Sequence, residues 1–447
     1  MTDLTLLVLA LLFFVDGFVF ADLLLGGRLA NLQNSSGAVV ETRLGTFLLD
    51  VVRIPVLLLT FAWIVVRHAQ RGRIRIGAVL ALPLVTAALL ASTWLATGSV
   101  GTTNKWWVPP LIAASLVAIG PALRELQVLG WVTGFVALFS LGFGLVSDKA
   151  FMLQTVFLEQ SSKALIGDRL LAGPFAQMNV LGLSMAAGLP FVFLIERRRI
   201  RFVLVAATVA ALVLSASRTS IIAVLFVVTA ALTTVAFRTV ASRRLVLVGF
   251  FAVTLGVQVL LPLLTTDPEA FTSRGDIWIR SIERWPLSPV FGFGTGAYAP
   301  GSVLAGLLGY ASWHGHNVFI SAITMGGLIL LGAIIVLFVA AWSRAMALVP
   351  ESIVPAVGLI TITSIGWAEV SFRLDDFDGP SWVTWMAVLV PLILRSPEVA
   401  AEPARARREG VRPARRTTPV PQTPPERPRA ARSRGWRTPE GGASPWG

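Results

Sequence analysis

The chain has 447 residues, 55% of them hydrophobic and only 14% charged, with mean hydropathy +0.76 and no cysteine. Soluble domains carry about 25% charged residues, so this balance excludes an ordinary soluble enzyme, and the lack of cysteine excludes disulfide-stapled folds and thiolate metal sites. The net charge of +13 does not mark a nucleic-acid binder, because 11 of the 37 Lys and Arg residues lie in one terminal segment rich in Arg and Pro, and most of the rest lie in short connections between apolar blocks.

Crossing roughly 30 Å of hydrocarbon takes about 20 apolar residues. That criterion predicts spans at residues 4–25, 44–66, 76–96, 106–122, 128–146, 174–195, 202–217, 219–237, 245–264, 318–342, 353–368 and 381–394. The expected fold is therefore all-α, a polytopic transmembrane helical bundle of about 12 spans. Positively charged connections stay in the cytoplasm. Arg67, Arg71, Arg73 and Arg75, then Arg124, Arg197 to Arg201, Arg238, Arg243, Arg244 and Arg344 all fall in alternate connections. Both termini are thus expected in the cytoplasm of a plasma (inner) membrane, with 147–173 and the large loop 265–317, between the ninth and tenth spans, facing outward. The first apolar block has neither a basic n-region nor a small-residue cleavage site, so it is expected to be a retained span. No internal repeat is visible. Residues 1–395 form the membrane domain, and 396–447, with 11 Arg and 10 Pro, are expected to be a disordered cytoplasmic tail, passive or bound to anionic lipid.

Polar groups near membrane depth are costly and so carry the information. Asp50 and Arg53 are three apart within the second span and are expected to pair. Arg169 and Asn179 straddle the start of the sixth span. Arg218 lies between two apolar runs amid small polar residues, at the expected outer ends of the seventh and eighth spans; it either snorkels to the headgroups or binds an anion in an outward cavity. In the large loop, Ile277, Trp278, Ser281, Ile282 and Trp285 recur at helical spacing, which predicts an amphipathic helix suited to a membrane surface. Arg274 projects along that face, whereas Arg280 stands where Asp276 or Glu283 can pair with it. The run Gly292-Phe293-Gly294-Thr295-Gly296 either lets backbone amides approach an anion or is a plain turn.

The loop closes with His314-Gly315-His316-Asn317, two of only three histidines in the chain. Imidazole serves as base or acid near neutral pH, and His316-Asn317 could also cap the next helix. No third ligand stands near this H-x-H in sequence, so a metal site is not expected. The acidic run Asp375-Asp376-Phe377-Asp378 is expected to be hydrated rather than cation-binding.

Taken in order, these features resemble one family. Arg169…Gly173-Pro174-Phe175…Asn179, Ser217-Arg218-Thr219-Ser220, Arg274…Trp278…Pro286-Leu287…Gly292-Phe293-Gly294 and His314-Gly315-His316-Asn317…Gly326-Gly327-Leu328 are similar to the motifs of the bacterial O-antigen ligase/polymerase superfamily. The resemblance covers about residues 169–332 and implies glycan transfer at the outer membrane face. It implies a polyprenyl-diphosphate-linked donor, a glycan or glycolipid acceptor, surrounding membrane lipid, no nucleic acid, no cofactor and no metal. On this mapping Arg218 and Arg274 hold the diphosphate and His316 activates the acceptor hydroxyl, so these three are the catalytic candidates. Arg169, Arg280, His314, Asn317, Gly292 and Gly294 are the substrate-binding candidates. Guanidinium suits phosphate oxygens, and neutralising a departing diphosphate stabilises charge that grows in the transition state. A polymerase of the same superfamily, a secondary transporter or lipid flippase, and a peptidoglycan glycosyltransferase using a loop carboxylate such as Asp276 are the alternatives.

Overall fold

A computed structural model describes residues 2–24, 47, 51–69, 81–98, 100, 105–151, 164–166, 169–175, 177–309, 312, 314–374 and 376–394. Its regular structure is helical, with no strand among the described residues beyond one isolated bridge, Phe151 to Leu171. In chain order the helices are α1 (Asp3–Leu24), α2 (Arg53–Ala69), α3 (Ala81–Thr97), α4 (Val108–Ile119), α5 (Gln127–Val146), α6 (Met178–Val192) and α7 (Arg198–Ser215). They continue as α8 (Arg218–Ala236), α9 (Val240–Leu264), α10 (Ala270–Arg284), α11 (Val303–Leu308), α12 (Val318–Leu348), α13 (Val354–Ile365) and α14 (Ser381–Ile393). Four stretches are long and apolar enough to cross a membrane by length and composition: Leu123–Val146, Arg218–Ala236, Val240–Leu264 and Val318–Leu348. Six shorter apolar helices accompany them. Large apolar side chains also point outward, such as Leu59, Leu225, Leu245 and Val339; helices apolar on every side belong in lipid or in a large core. The expected tail and the Asp50 half of the expected Asp50–Arg53 pair lie outside the described residues. Arg53 itself donates to the Phe14 carbonyl at 3.5 Å and lies over the Phe14 ring.

Side-chain contacts sort the helix termini into two ends. At one, Asp3 on α1 meets Arg67 and His68 on α2, Arg244 on α9 donates to the Met346 carbonyl of α12, and Arg344 to the Leu394 carbonyl beyond α14. Arg244 and Arg344 satisfy carbonyls that helix ends leave open, where positive charge also suits the helix dipole. At the other end lie Lys105 paired with Asp376 (3.1 Å), Arg169 paired with Asp148, and Arg373 paired with Asp378 (2.6 Å). The acidic run thus has its charges on Asp376 and Asp378 matched within the protein; Asp375 lies outside the described residues. Between the ends, small residues let helices touch. A Cβ on Gly130 would meet the Phe191 carbonyl at 2.4 Å, and one on Gly182 would meet the Ser217 side chain at 2.3 Å.

The periodicity misses one feature of α12. At Gly327 the backbone turns to φ 58°, ψ −153° and breaks the helix. A break frees two carbonyls and two amides that would have paired with each other, and unsatisfied backbone is costly in an apolar setting. Here the 289–294 segment fills the gap. Phe293 N donates to Thr324 O (2.7 Å) and Gly294 N to Met325 O (2.9 Å), while Leu328 N donates to Pro289 O (3.0 Å) and Ile329 N to Val290 O (3.3 Å). Ser92 of α3 adds a bond to Gly326 O, and Thr93 Oγ1 accepts from Thr295 N. The first four amides of the glycine run are therefore not offered to an anion. The amides of Gly292, Phe293, Gly294 and Thr295 are all used inside the protein, and a Cβ on Gly292 would sit 2.6 Å from the Thr324 carbonyl.

The helix expected at 274–285 forms, and its apolar face packs against the protein, with Ile282 and Trp285 partly buried beside Trp278. Phe271, Thr272 and Ser273 take positive φ, so regular helix in α10 begins at Arg274. Trp278 is wholly buried against Ile320, Ile323 and Ala368.

Gly327→Ala should place its Cβ 2.4 Å from the Val290 carbonyl, in a backbone region only glycine tolerates. We expect a loss on the order of 3 kcal/mol, seen as a lower unfolding temperature in detergent. Gly332→Ala, with nothing near its Cβ position, should be neutral or slightly stabilising.

Candidate functional site

The segment before α12 is held rigidly. Asn317 caps the helix, its Oδ1 accepting from Ile320 N (3.1 Å), while its Nδ2 donates to Gln258 O (3.0 Å) and Trp367 O (2.9 Å). The residue is fully buried, so the expected substrate contact at Asn317 gives way to a structural knot joining α9, α12 and the corner after α13. Gly315 between the two histidines is required by packing, since its Cβ would lie 2.8 Å from the Tyr298 hydroxyl. Its carbonyl accepts from Trp278 Nε1 (2.9 Å), which ties the H-x-H segment to α10. Burial pushes the Tyr298 phenol up to about 12 despite bonds with Ser281 and Thr324, so the hydroxyl stays protonated.

On this support the rings of His314 and His316 stand 4.2 Å apart, centroid to centroid. His316 has φ 50°, a left-handed conformation that a side-chain-bearing residue adopts at a cost of order 1–3 kcal/mol and that recurs at functional sites. Its amide donates to His314 Nδ1 (3.1 Å), so a neutral His314 carries its proton on Nε2. Burial, then the charges of His316, Arg373 and Arg274, lower the His314 pKa well below 6.5 and keep that ring neutral.

The carboxylate partner comes from a residue the sequence did not single out. Glu369, buried in the corner between α13 and α14, pairs through Oε1 with Arg274 and presents Oε2 3.6 Å from His316 Nδ1. Arg274 also donates to the Ala368 carbonyl. Burial alone would raise the Glu369 pKa, but the His316 imidazole and the Arg274 guanidinium outweigh it, and the carboxyl is held below its ordinary value. The signal for Glu369 was faint: one acidic residue directly after an apolar run, beside the more conspicuous aspartates at 375–378.

Arg274, His314 and His316 therefore converge on Glu369. Arg274 is committed to that carboxylate rather than open to an anion. Arg218 is the first residue of α8, exposed, with no acidic partner or hydrogen bond among the described residues. Two turns along α8, about 12 Å at 1.5 Å per residue, Phe226 packs edge-on against Trp367, which bonds Asn317. Arg169 pairs with Asp148 and lies over the Phe151 ring; its segment joins the α7–α8 corner through Leu171 N to Leu214 O (3.0 Å). Arg280 is bound to Asp276 (2.7 Å) and the Leu308 carbonyl (2.8 Å). Its guanidinium thus braces α10 against α11, a structural role in place of the expected substrate contact, and Asp276 is engaged as well.

The neutral His314 sets a sign for acid stability. As pH falls below about 6.5 the unfolded chain takes up a proton that the native ring refuses, so stability is full above that value and declines below it, by at most about 1.4 kcal/mol per pH unit. Denaturation in detergent between about pH 7 and about pH 5.5 should show this slope in the wild type and a flatter one in His314→Gln. No protein-family model matches this sequence, and no curated protein matches it either.

Proposed function

We propose that this chain is an integral membrane glycosyltransferase of the O-antigen ligase/polymerase kind, which moves a glycan from a polyprenyl-diphosphate carrier to an acceptor hydroxyl at the outer face of the plasma membrane. In this reading α1 to α9 and α12 to α14 are the twelve spans, and 265–317, with α10 and α11, is the large extracytoplasmic connection. Both termini are cytoplasmic, because Arg67, Arg201, Arg244 and Arg344 gather at the end of the bundle away from the histidines.

The observation that carries the proposal is the His316–Glu369–Arg274 cluster at the opposite, less basic end. His316 accepts the proton of the acceptor hydroxyl, and the ionised Glu369 beside it stabilises the imidazolium that forms. The oxygen attacks the anomeric carbon as the bond from that carbon to the diphosphate oxygen breaks, which inverts the centre. The leaving diphosphate takes the electron pair, and Arg218, whose guanidinium has no partner among the described residues, neutralises it. Arg274 keeps Glu369 ionised rather than binding phosphate directly. For the carrier's tail, a cleft of about 460 Å³ lies between α9, α12 and α13. It is almost wholly apolar, and Ile335 and Val339 in its wall are exposed on the outside of the bundle. Gln258, whose carbonyl is bonded by Asn317, lines it too, so the cleft runs up to the site's support.

A transporter would use the broken α12 as its ion site, but the groups freed at Gly327 are already bonded to 289–294. A loop-carboxylate mechanism through Asp276 meets the Arg280 pair. Ligase and polymerase share the chemistry and differ in acceptor.

The test is transfer by purified full-length protein from a polyprenyl-diphosphate glycan to candidate acceptors. His316→Ala should lower turnover by roughly a hundredfold or more, and Arg218→Lys should lower it with the melting temperature unchanged. Wild-type rates in His316→Ala would remove the base and with it this mechanism.

A further inference from the structure

His316 Nδ1 is buried and has no hydrogen-bond partner among the described residues, although a carboxylate oxygen stands beside it. The separation from Glu369 Oε2 is 3.6 Å. A charge-assisted N–H···O bond closes to about 2.7–2.9 Å, so this pair is too far apart to be one. Two ligands on one tetrahedral ion with bonds of about 2.0–2.1 Å lie about 3.3 Å from each other, so the observed gap is close to a ligand–ligand edge. His314 completes the set, its Nδ1 lone pair passing from the His316 amide to the ion: one atom each from His314, His316 and Glu369 all lie within 4.8 Å of one another.

We propose that His314, His316 and Glu369 form a binding site for a divalent transition-metal ion of the zinc class. Two imidazole nitrogens and one carboxylate oxygen are a donor set zinc accepts, with a fourth position left for water. The carboxylate is already oriented from behind, since Arg274 holds Oε1 and leaves Oε2 toward the histidines; second-shell partners of this kind fix ligands in place. The imidazoles are oriented as well, because Trp278 grips the Gly315 carbonyl between them. No third ligand stands beside this H-x-H in sequence, but Glu369, 53 positions beyond His316, supplies one in space. Three ligands and the nearby Arg274 and Arg373 charges make this a reversible site, weaker than a closed structural one.

If the transferase reading above holds, an ion on Nδ1 leaves the neutral ring's one proton on Nε2, the nitrogen that must take the acceptor's proton, and zinc then switches transfer off. The site itself does not depend on that reading, so its test needs no substrate. Full-length protein in detergent, stripped with chelator, is dialysed against Zn²⁺ or titrated with Co²⁺ while the visible absorption of tetrahedral cobalt is followed. One ion per chain is expected, with affinity at least tenfold lower in His314→Ala, His316→Ala and Glu369→Gln and unchanged in His68→Ala. Should those variants misfold, wild-type protein answers alone: Zn²⁺ should protect His314 and His316, but not His68, from diethyl pyrocarbonate, as read by peptide mass spectrometry. No stoichiometric binding, or modification of His314 and His316 undiminished by Zn²⁺, overturns the site. Binding without inhibition of transfer would uphold the metal site and count against His316 as the base.

Discussion

A carboxylate taken out of water must find compensating charge, and Glu369 is the place where this chain meets that requirement. Its two oxygens face two different parts of the protein: Arg274 at the start of regular helix in α10, and His316 on the approach to α12. The desolvation cost of a buried ion is several kcal/mol, recovered only when the geometry of its partners is good. Glu369 therefore does more than bind one arginine. It couples the connection after α9 to the corner after α13, and it fixes the electrostatic setting in which two histidines sit 4.2 Å apart with one of them held neutral.

Around this charge the protein builds with directional bonds rather than apolar packing alone. Trp278 reaches the Gly315 carbonyl, Asn317 reaches α9 and the Trp367 carbonyl, and Tyr298 fills the space below Gly315. None of these side chains is free to meet a ligand. Their effect is to hold His316 in a left-handed backbone conformation that it would not adopt in an unconstrained loop. The acidic and basic residues nearby mostly cancel in pairs, as with Lys105 and Asp376 or Arg280 and Asp276, which leaves Arg218 as the notable exposed cation on the adjacent helix corner.

The helices were legible because apolar runs are a strong one-dimensional signal: the spans expected at 128–146, 318–342 and 381–394 begin within a residue of α5, α12 and α14. The pairing of Arg280 with Asp276 was legible too, since four residues bring two side chains together on a helix. What sequence could not carry was proximity between distant segments. Glu369 is separated from Arg274 by 95 positions, and no local spacing encodes that meeting. The glycines at 292 and 294 misled for a related reason. Glycine permits a close backbone approach without saying to what, and here the partner is the chain's own broken helix rather than an anion.

The interruption in α12 also bears on the order in which the molecule can be made. A helix with four unanswered backbone groups at its centre is a poor guest for hydrocarbon. The residues that answer them, 289–294, precede Gly327 in the chain and so leave the ribosome first, and Ser92 and Thr93 long before. Synthesis thus delivers the plug ahead of the gap. Glu369 emerges later still, so the nascent polypeptide has no completed charge cluster until nearly all of its apolar helices are in place.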